Sequence, residues 1–338
     1  MINKKQILLF ICLFPFTSLV TAQNSFKTSD KKMMCTSNYN KSEVLIKQAN
    51  KTDLRSFEGV IRKSFEIDLK TKKSFTYKNV EGKELQIFGF FPKKQLKKQS
   101  CVVFIHGGSW SGGNIQGSMK WCRYLAEQGT VAFTIEYRLS TDKPYKCLED
   151  IKSGVRWIRK NALQFNIDTT KIALSGSSAG GHLAAATATI NEFNSANDDL
   201  SISCKPQLLL LVSPVIDNGP DGFGYERVKD YWKEFSPLHN MNDNLPPTCI
   251  LLGEKDPLIP VKTALKFAEA VKKSRSDIKF YVFKGEGHNI FDQSKSELAD
   301  PIIQTYYYWQ KFLAQHKYVT KPKKLKSGYK IPTEKYKI

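Results

Sequence analysis

Apolar residues along this chain fall into two rhythms. Short unbroken runs, Cys101-Val102-Val103-Phe104-Ile105 foremost, alternate with longer stretches in which apolar positions recur every three or four residues. An unbroken run reads as a strand buried on both faces. Val131 to Tyr137, Ile172 to Ser175, Gln207 to Val212, Thr248 to Leu252 and Ile278 to Phe283 read as further strands. The other rhythm predicts helices over Met119 to Gln128, Cys147 to Phe165, the segment after Ser178, Val261 to Lys272 and Ser294 to Gln315. Leu148, Ile151, Val155 and Ile158 form one apolar stripe in the second of these. Upstream, Phe75 to Tyr77 and Leu85 to Phe91 flank Glu81-Gly82-Lys83 and predict a hairpin. Strands alternating with helices define an α/β chain, a three-layer sandwich whose mostly parallel central sheet is covered on both faces.

Three stretches break the rhythm. Lys4 and Lys5 precede the apolar stretch Ile7 to Val20, and Val20-Thr21-Ala22 has the form of a cleavage site. Residues 1–22 therefore read as an export signal, directing the chain to the periplasm or the medium. An uncleaved anchor competes with that reading, but the stretch is short of the roughly 20 apolar residues a span needs. Residues 23–70 are polar and read as an N-terminal arm or lead-in helix. Ser213 to Pro247 is rich in proline, glycine and aromatic residues and follows a strand end, where open sheets place ligand sites. It reads either as a wall of a pocket or as a packed connection. The organisation expected is leader 1–22, arm 23–70, catalytic domain 71–317 and tail 318–338.

Charge and cysteine content add constraints. The formal net charge is +20, and Lys321 to Ile338 alone holds seven lysines against one glutamate. Lys93, Lys94, Lys97 and Lys98 form another cluster. Such charge suits weak electrostatic contact with acidic surfaces or simply a solvated face. No nucleic-acid-binding motif accompanies it, so no specific nucleic-acid partner is expected. Six cysteines lie beyond the leader at irregular spacings, with Cys101 and Cys249 opening apolar runs as candidate buried thiols. An exported chain permits disulfides, but these spacings assign none.

The chemistry centres on Gly176-Ser177-Ser178-Ala179-Gly180, which stands between a strand and a helix. That is the context of a nucleophile elbow, with Ser178 the candidate nucleophile. A serine hydroxyl needs a base to take its proton, and a base needs an acid to fix its tautomer. Among five histidines, His288 in Gly285-Glu286-Gly287-His288 follows the last strand and is the candidate base. Asp256 follows the strand before it and is the candidate acid, with Glu254 a rival and helix capping the bland role for Asp256. An oxyanion needs fixed donors. His106-Gly107-Gly108-Ser109-Trp110 follows a central strand, so the amides of Gly107, Gly108 and Ala179 are the candidate oxyanion hole. Ser109 is a candidate further donor and substrate-binding residue, Trp110 a candidate substrate-binding pocket wall or core residue, and His106 braces the loop. No metal constellation is present in this reading, and no cofactor is implied.

Together, His106-Gly107-Gly108-Ser109-Trp110, Glu136-Tyr137-Arg138-Leu139, Gly176 to His182, Gly253 to Leu258 and Gly287-His288 resemble the α/β-hydrolase superfamily. The resemblance spans residues 75–316 and is to the branch with a His-Gly-Gly loop, which includes hormone-sensitive-lipase-like and acetyl-esterase-like proteins. It implies a serine carboxylesterase with Ser178 as nucleophile, Asp256 as acid and His288 as base. Family members often read Asp-Tyr-Arg-Leu-Ala-Pro where this chain has Glu136-Tyr137-Arg138-Leu139-Ser140-Thr141. The block Asp256 to Val261 is more similar to secreted bacterial esterases acting on carbohydrate acetyl or feruloyl esters. The implied partner is a small-molecule or polysaccharide-linked ester, handled by a monomer or homodimer. A peptidase, an acyltransferase and a silent binding protein are the alternatives on the same fold.

Overall fold

The computed structural model describes residues 72–94, 96–140, 142–290 and 300–319, and the strands Val44–Lys47 (β1) and Thr333–Tyr336 (β10). The expected leader, Cys12, Cys35 and most of the arm and tail lie outside the described residues. Within the arm and tail, β1 pairs antiparallel with β10, Val44 opposite Tyr336, while Tyr318 and Val319 at the start of the tail are buried. The arm is thus extended at this point rather than helical.

The main sheet contains β2 (Lys73–Val80), β3 (Lys83–Phe90), β4 (Gln99–Ile105), β5 (Val131–Ile135), β6 (Ile167–Ser177), β7 (Leu208–Val212), β8 (Thr248–Gly253) and β9 (Ile278–Phe283). Its spatial order is β2-β3-β5-β4-β6-β7-β8-β9. The β2–β3 and β3–β5 pairs are antiparallel and every later pair is parallel. The expected hairpin is β2–β3. Its turn residues Glu81 and Gly82 both have positive φ, 53° and 79°, the pattern whose twist suits a two-residue hairpin loop.

Alternation along β4 shows how the layers form, because successive strand side chains face opposite ways. Cys101, Val103 and Ile105 join the core under α2 (Tyr145–Lys160), α3 (Ala179–Thr189) and α6 (Val261–Lys273). Val102 and Phe104 join the core under α1 (Gln116–Glu127) and α7 (Asp300–Gln315). Every residue of β4 is buried, as the unbroken apolar run requires. The helix expected to reach Phe165 ends at Lys160, where the Asn161 amide and side chain both donate to Trp157 O. Strand β6 then starts earlier than its apolar run, at Ile167.

Between β7 and β8 the chain forms α4 (Tyr225–Val228), α5 (Trp232–Phe235) and a 3-10 turn, Pro237–His239. Val215, Ile216, Val228 and Phe235 from this segment are buried in the core that holds α3. Cys101, Cys122, Cys147, Cys204 and Cys249 are buried free thiols, so Cys101 and Cys249 are as the sequence reading had them. The lysine cluster Lys93, Lys94, Lys97 and Lys98 is exposed.

One buried cation supports the helix that follows Ser178. Lys152 of α2 is fully buried, and its Nζ donates to Ile190 O at 2.9 Å and to Glu192 O. It supplies positive charge where α3 ends, and α3 has no basic residue of its own in its last turn. Burial lowers the Lys152 pKa to about 8 from an ordinary 10.5. Between those values the unfolded chain binds more protons than the folded one, so stability rises with pH across that window and is flat below it. The contribution is on the order of 3 kcal/mol. Lys152→Met is expected to remove that rise, read as the difference in Tm between variant and native chain from pH 7.5 to 10.5. An unchanged difference across that range would refute it.

Candidate active site

The parallel strands β4, β6, β7, β8 and β9 end along one edge of the sheet, and the sequence-predicted residues are gathered there. Ser178 stands between β6 and α3 with φ 54° and ψ −121°. A side-chain-bearing residue in this strained region costs on the order of 1–3 kcal/mol and persists only where its surroundings hold it. Here the Ser178 amide donates to Val212 O (2.9 Å), and its carbonyl accepts from His182 N (3.0 Å) and Val215 N (3.2 Å). Close contact does the rest. A Cβ on Gly180 would lie 2.1 Å from Ile105 O, and one on Gly107 would lie 2.7 Å from Ser177 O. The glycines therefore let the β4 loop and the elbow meet backbone to backbone.

His288 Nε2 lies 2.9 Å from Ser178 Oγ, and His288 Nδ1 lies 2.8 Å from Asp256 Oδ2. A carboxylate can only accept, so Nδ1 carries the proton and Nε2 is free to accept from the serine hydroxyl. Asp256 Oδ1 accepts from the amides of Leu258 and Ile259, each at 2.9 Å. Burial alone would raise the Asp256 carboxyl. Hydrogen bonds from His288, Ile259 and Leu258, with the attraction of His288, outweigh it and hold the group below its ordinary value. Asp256 thus serves the turn and the histidine at once. Glu254 accepts at its Oε2 from Gly285 N at 2.9 Å, while His288 Nδ1 pairs with Asp256.

The loop after β4 lies against this group. A Cβ on Gly107 would come 3.3 Å from Ser178 Cβ, and among the described residues neither the Gly107 nor the Gly108 amide donates to a backbone carbonyl. Ala179 opens α3 beside the serine. His106 braces the loop, as expected. Its Nδ1 is 2.8 Å from Gly107 O, its carbonyl accepts from the Tyr137 hydroxyl at 2.8 Å, and its ring stacks on Tyr137. Burial lowers its pKa.

Trp110 departs from its expected place as a pocket wall. It is fully buried, with its Nε1 donating to His182 Nδ1 at 3.3 Å and its ring against Phe223 and Phe235. An indole buried on every side must find an acceptor for its N–H, and only the interior offers one here. His182 in turn donates from Nε2 to Phe235 O at 3.0 Å. Burial lowers the His182 pKa to about 4, so the ring stays neutral and holds one tautomer. Ser109 presents its carbonyl to Arg227, whose Nη1 donates to it at 2.8 Å. His182 lies in the elbow motif, which gives it no role, and no local motif marks Arg227. A cavity of about 630 Å³ adjoins the loop, bordered by Gly107, Gly108, Gln116, Ser177, Asn289 and Trp309 and not by the triad side chains.

An aligned serine, histidine and aspartate beneath a glycine loop, on a mixed sheet of this order, define a serine hydrolase of the α/β-hydrolase fold. The BD-FAE family profile matches residues 85–220. The apo form of esterase 2 from Thermogutta terrifontis superposes with a TM-score of 0.70 at 30% identity, covering 77% of this chain and 99% of that one. The same esterase phosphorylated by paraoxon matches at 0.70 and 29% identity, over 76% and 98% of the two chains. Among curated sequences, endo-1,4-beta-xylanase B of Butyrivibrio fibrisolvens is 27% identical, over 68% of this chain and 38% of its own length. The acetylxylan esterase of Xylanibacter ruminicola is 22% identical, over 75% and 53%. The chain spans about half the length, or less, of these curated relatives. It belongs to the α/β-hydrolase-fold serine esterases.

Proposed function

We propose that the protein hydrolyses carboxylic esters through an acyl-enzyme on Ser178, acting on short-chain or carbohydrate-linked acetyl or feruloyl esters. The observation that carries this reading is the unbroken chain of hydrogen bonds from Ser178 Oγ through His288 to Asp256. His288 Nε2 takes the hydroxyl proton as Ser178 Oγ attacks the ester carbonyl. Asp256 stabilises the imidazolium without taking its proton. The amides of Gly107, Gly108 and Ala179 receive the oxyanion. The imidazolium then protonates the departing alcohol. Water, deprotonated by the same nitrogen, attacks the acyl carbon and frees Ser178.

Support for a carbohydrate-linked substrate is comparative. Two relatives carry names that refer to xylan. The basic, apolar N-terminal sequence supports export, where polysaccharide esters are met.

The test is a substrate panel on the purified chain: p-nitrophenyl acetate, acetylated xylo-oligosaccharide, methyl ferulate and a peptide p-nitroanilide. Turnover of the esters with at least about a hundredfold lower kcat/KM on the anilide is the expected result. Hydrolysis of the anilide alone would establish a peptidase, and acyl transfer to an added alcohol in excess of hydrolysis an acyltransferase. No turnover of any of the four would overturn the reading on these substrates.

A further inference from the structure

We propose that Arg227 is a positioning residue for the oxyanion loop, and that the segment after β7 serves catalysis by delivering it. This inference rests on the ester-hydrolase reading above.

Ser109 and Trp110 are successive side-chain-bearing residues with φ of 52° and 63°. Two left-handed residues in a row turn the chain sharply straight after Gly108, so the Gly107 and Gly108 amides depend on that turn being held. The Trp110 carbonyl is held by Ser140 N at 2.8 Å and by Cys147 Sγ at 3.6 Å. The Gly108 carbonyl is held by Ser111 N at 3.0 Å and Gly112 N at 2.9 Å. The peptide between them hangs on Arg227: among the described residues, its Nη1 gives the one hydrogen bond to Ser109 O, at 2.8 Å.

The guanidinium also lies 4.9 Å from the centre of the Trp110 ring and 6.0 Å from that of Phe223. A cation over an indole face adds attraction and fixes the plane of the group. Arg227 has no carboxylate partner among the described residues, so nothing acidic draws it away from the carbonyl. The segment that carries it is tied to the loop a second way: Phe235 accepts from His182, which accepts from Trp110. Loop, α3 and segment are thereby joined by one chain of contacts.

A residue that orients the oxyanion amides contributes more to the transition state than to substrate binding. The test compares native chain, Arg227→Met and Arg227→Lys on p-nitrophenyl acetate, beside Ser178→Ala. Active sites are counted by stoichiometric labelling with paraoxon, so that unfolded molecules drop out. Per labelled site, Arg227→Met is expected to lose about 30-fold in kcat with KM within about threefold, less than deletion of a direct oxyanion donor. Arg227→Lys keeps one donor and the charge, and is expected to recover at least half of that loss on a logarithmic scale. The inhibition constant of a phenylboronic acid, whose adduct copies the tetrahedral intermediate, should rise in parallel. An unchanged kcat per labelled site in Arg227→Met would overturn the inference and leave Arg227 a structural residue. A rise in KM alone, greater for an ester bearing a carboxylate, would overturn it in favour of substrate recognition. Native turnover that survives in Ser178→Ala would overturn the reading of Ser178 as the acyl carrier, and this inference with it.

Discussion

Ser178→Ala is expected to lower kcat on p-nitrophenyl acetate by about 10⁵- to 10⁶-fold, the scale seen when a triad serine is lost elsewhere. The size of the effect follows from geometry. His288 Nε2 has Ser178 Oγ at 2.9 Å, and its other nitrogen is committed to Asp256. Without that hydroxyl the histidine can only activate water, and the covalent route is closed. The fold should not suffer. Ser178 is held through its amide and carbonyl, and alanine keeps the same Cβ in the same positive-φ backbone. Circular dichroism and Tm should match the native chain while initial rates collapse. A loss under tenfold would mean that the acyl group is carried elsewhere.

The second large effect concerns stability. Gly180→Ala is expected to cost more than about 4 kcal/mol, in the exceptional range for a point substitution, or to prevent folding. The new Cβ would lie 2.1 Å from Ile105 O and 2.5 Å from His106 O. Both are backbone atoms at the end of the central strand β4, so no side chain can swing aside. Relief would have to come from separating α3 from β4, which would also pull the serine from the loop. For a domain of this size the Tm should fall by roughly 10 °C or more. Gly82→Ala is the control. Nothing lies within 4 Å of its Cβ position and only its φ of 79° is unfavourable, so a cost of about 1–2 kcal/mol is expected. A cost at Gly180 no greater than at Gly82 would show that close approach to β4 is not what holds the elbow.

The parts of this molecule that were legible in the sequence are those whose cause is local. A strand buried on both faces must be apolar throughout, and Val102 to Ile105 is. A helix on a sheet must show a stripe, and Leu148, Ile151, Val155 and Ile158 do. The triad was legible because a sharp elbow needs glycines two residues either side of its serine, and because Asp256 and His288 each follow a strand. What escaped the sequence depends on contacts across long separations. Trp110 sits in a loop, and nothing nearby tells a pocket wall from a buried pillar. Its burial is decided by His182, Phe223 and Phe235. Arg227 meets Ser109 across 118 positions, and an arginine in an irregular segment reads as surface. The early start of β6 was hidden because Asp168, Thr169 and Thr170 are polar, yet Gln99 pairs with Ile167 there. The pairing of β1 with β10 joins two segments that looked like separate appendages.

The order of the strands fixes when the chemistry can exist. Ser178 leaves β6, Asp256 follows β8, and His288 follows β9, the last strand of the main sheet and its far edge. As the chain grows from its N-terminus, elements up to the elbow can dock before the base has been made. A nascent or truncated polypeptide that stops short of β9 therefore carries an inert hydroxyl. The base reaches the serine only where β9 is paired with β8. Activity is in this sense a report on folding: an ester turned over means that the sheet has closed as far as its β9 edge.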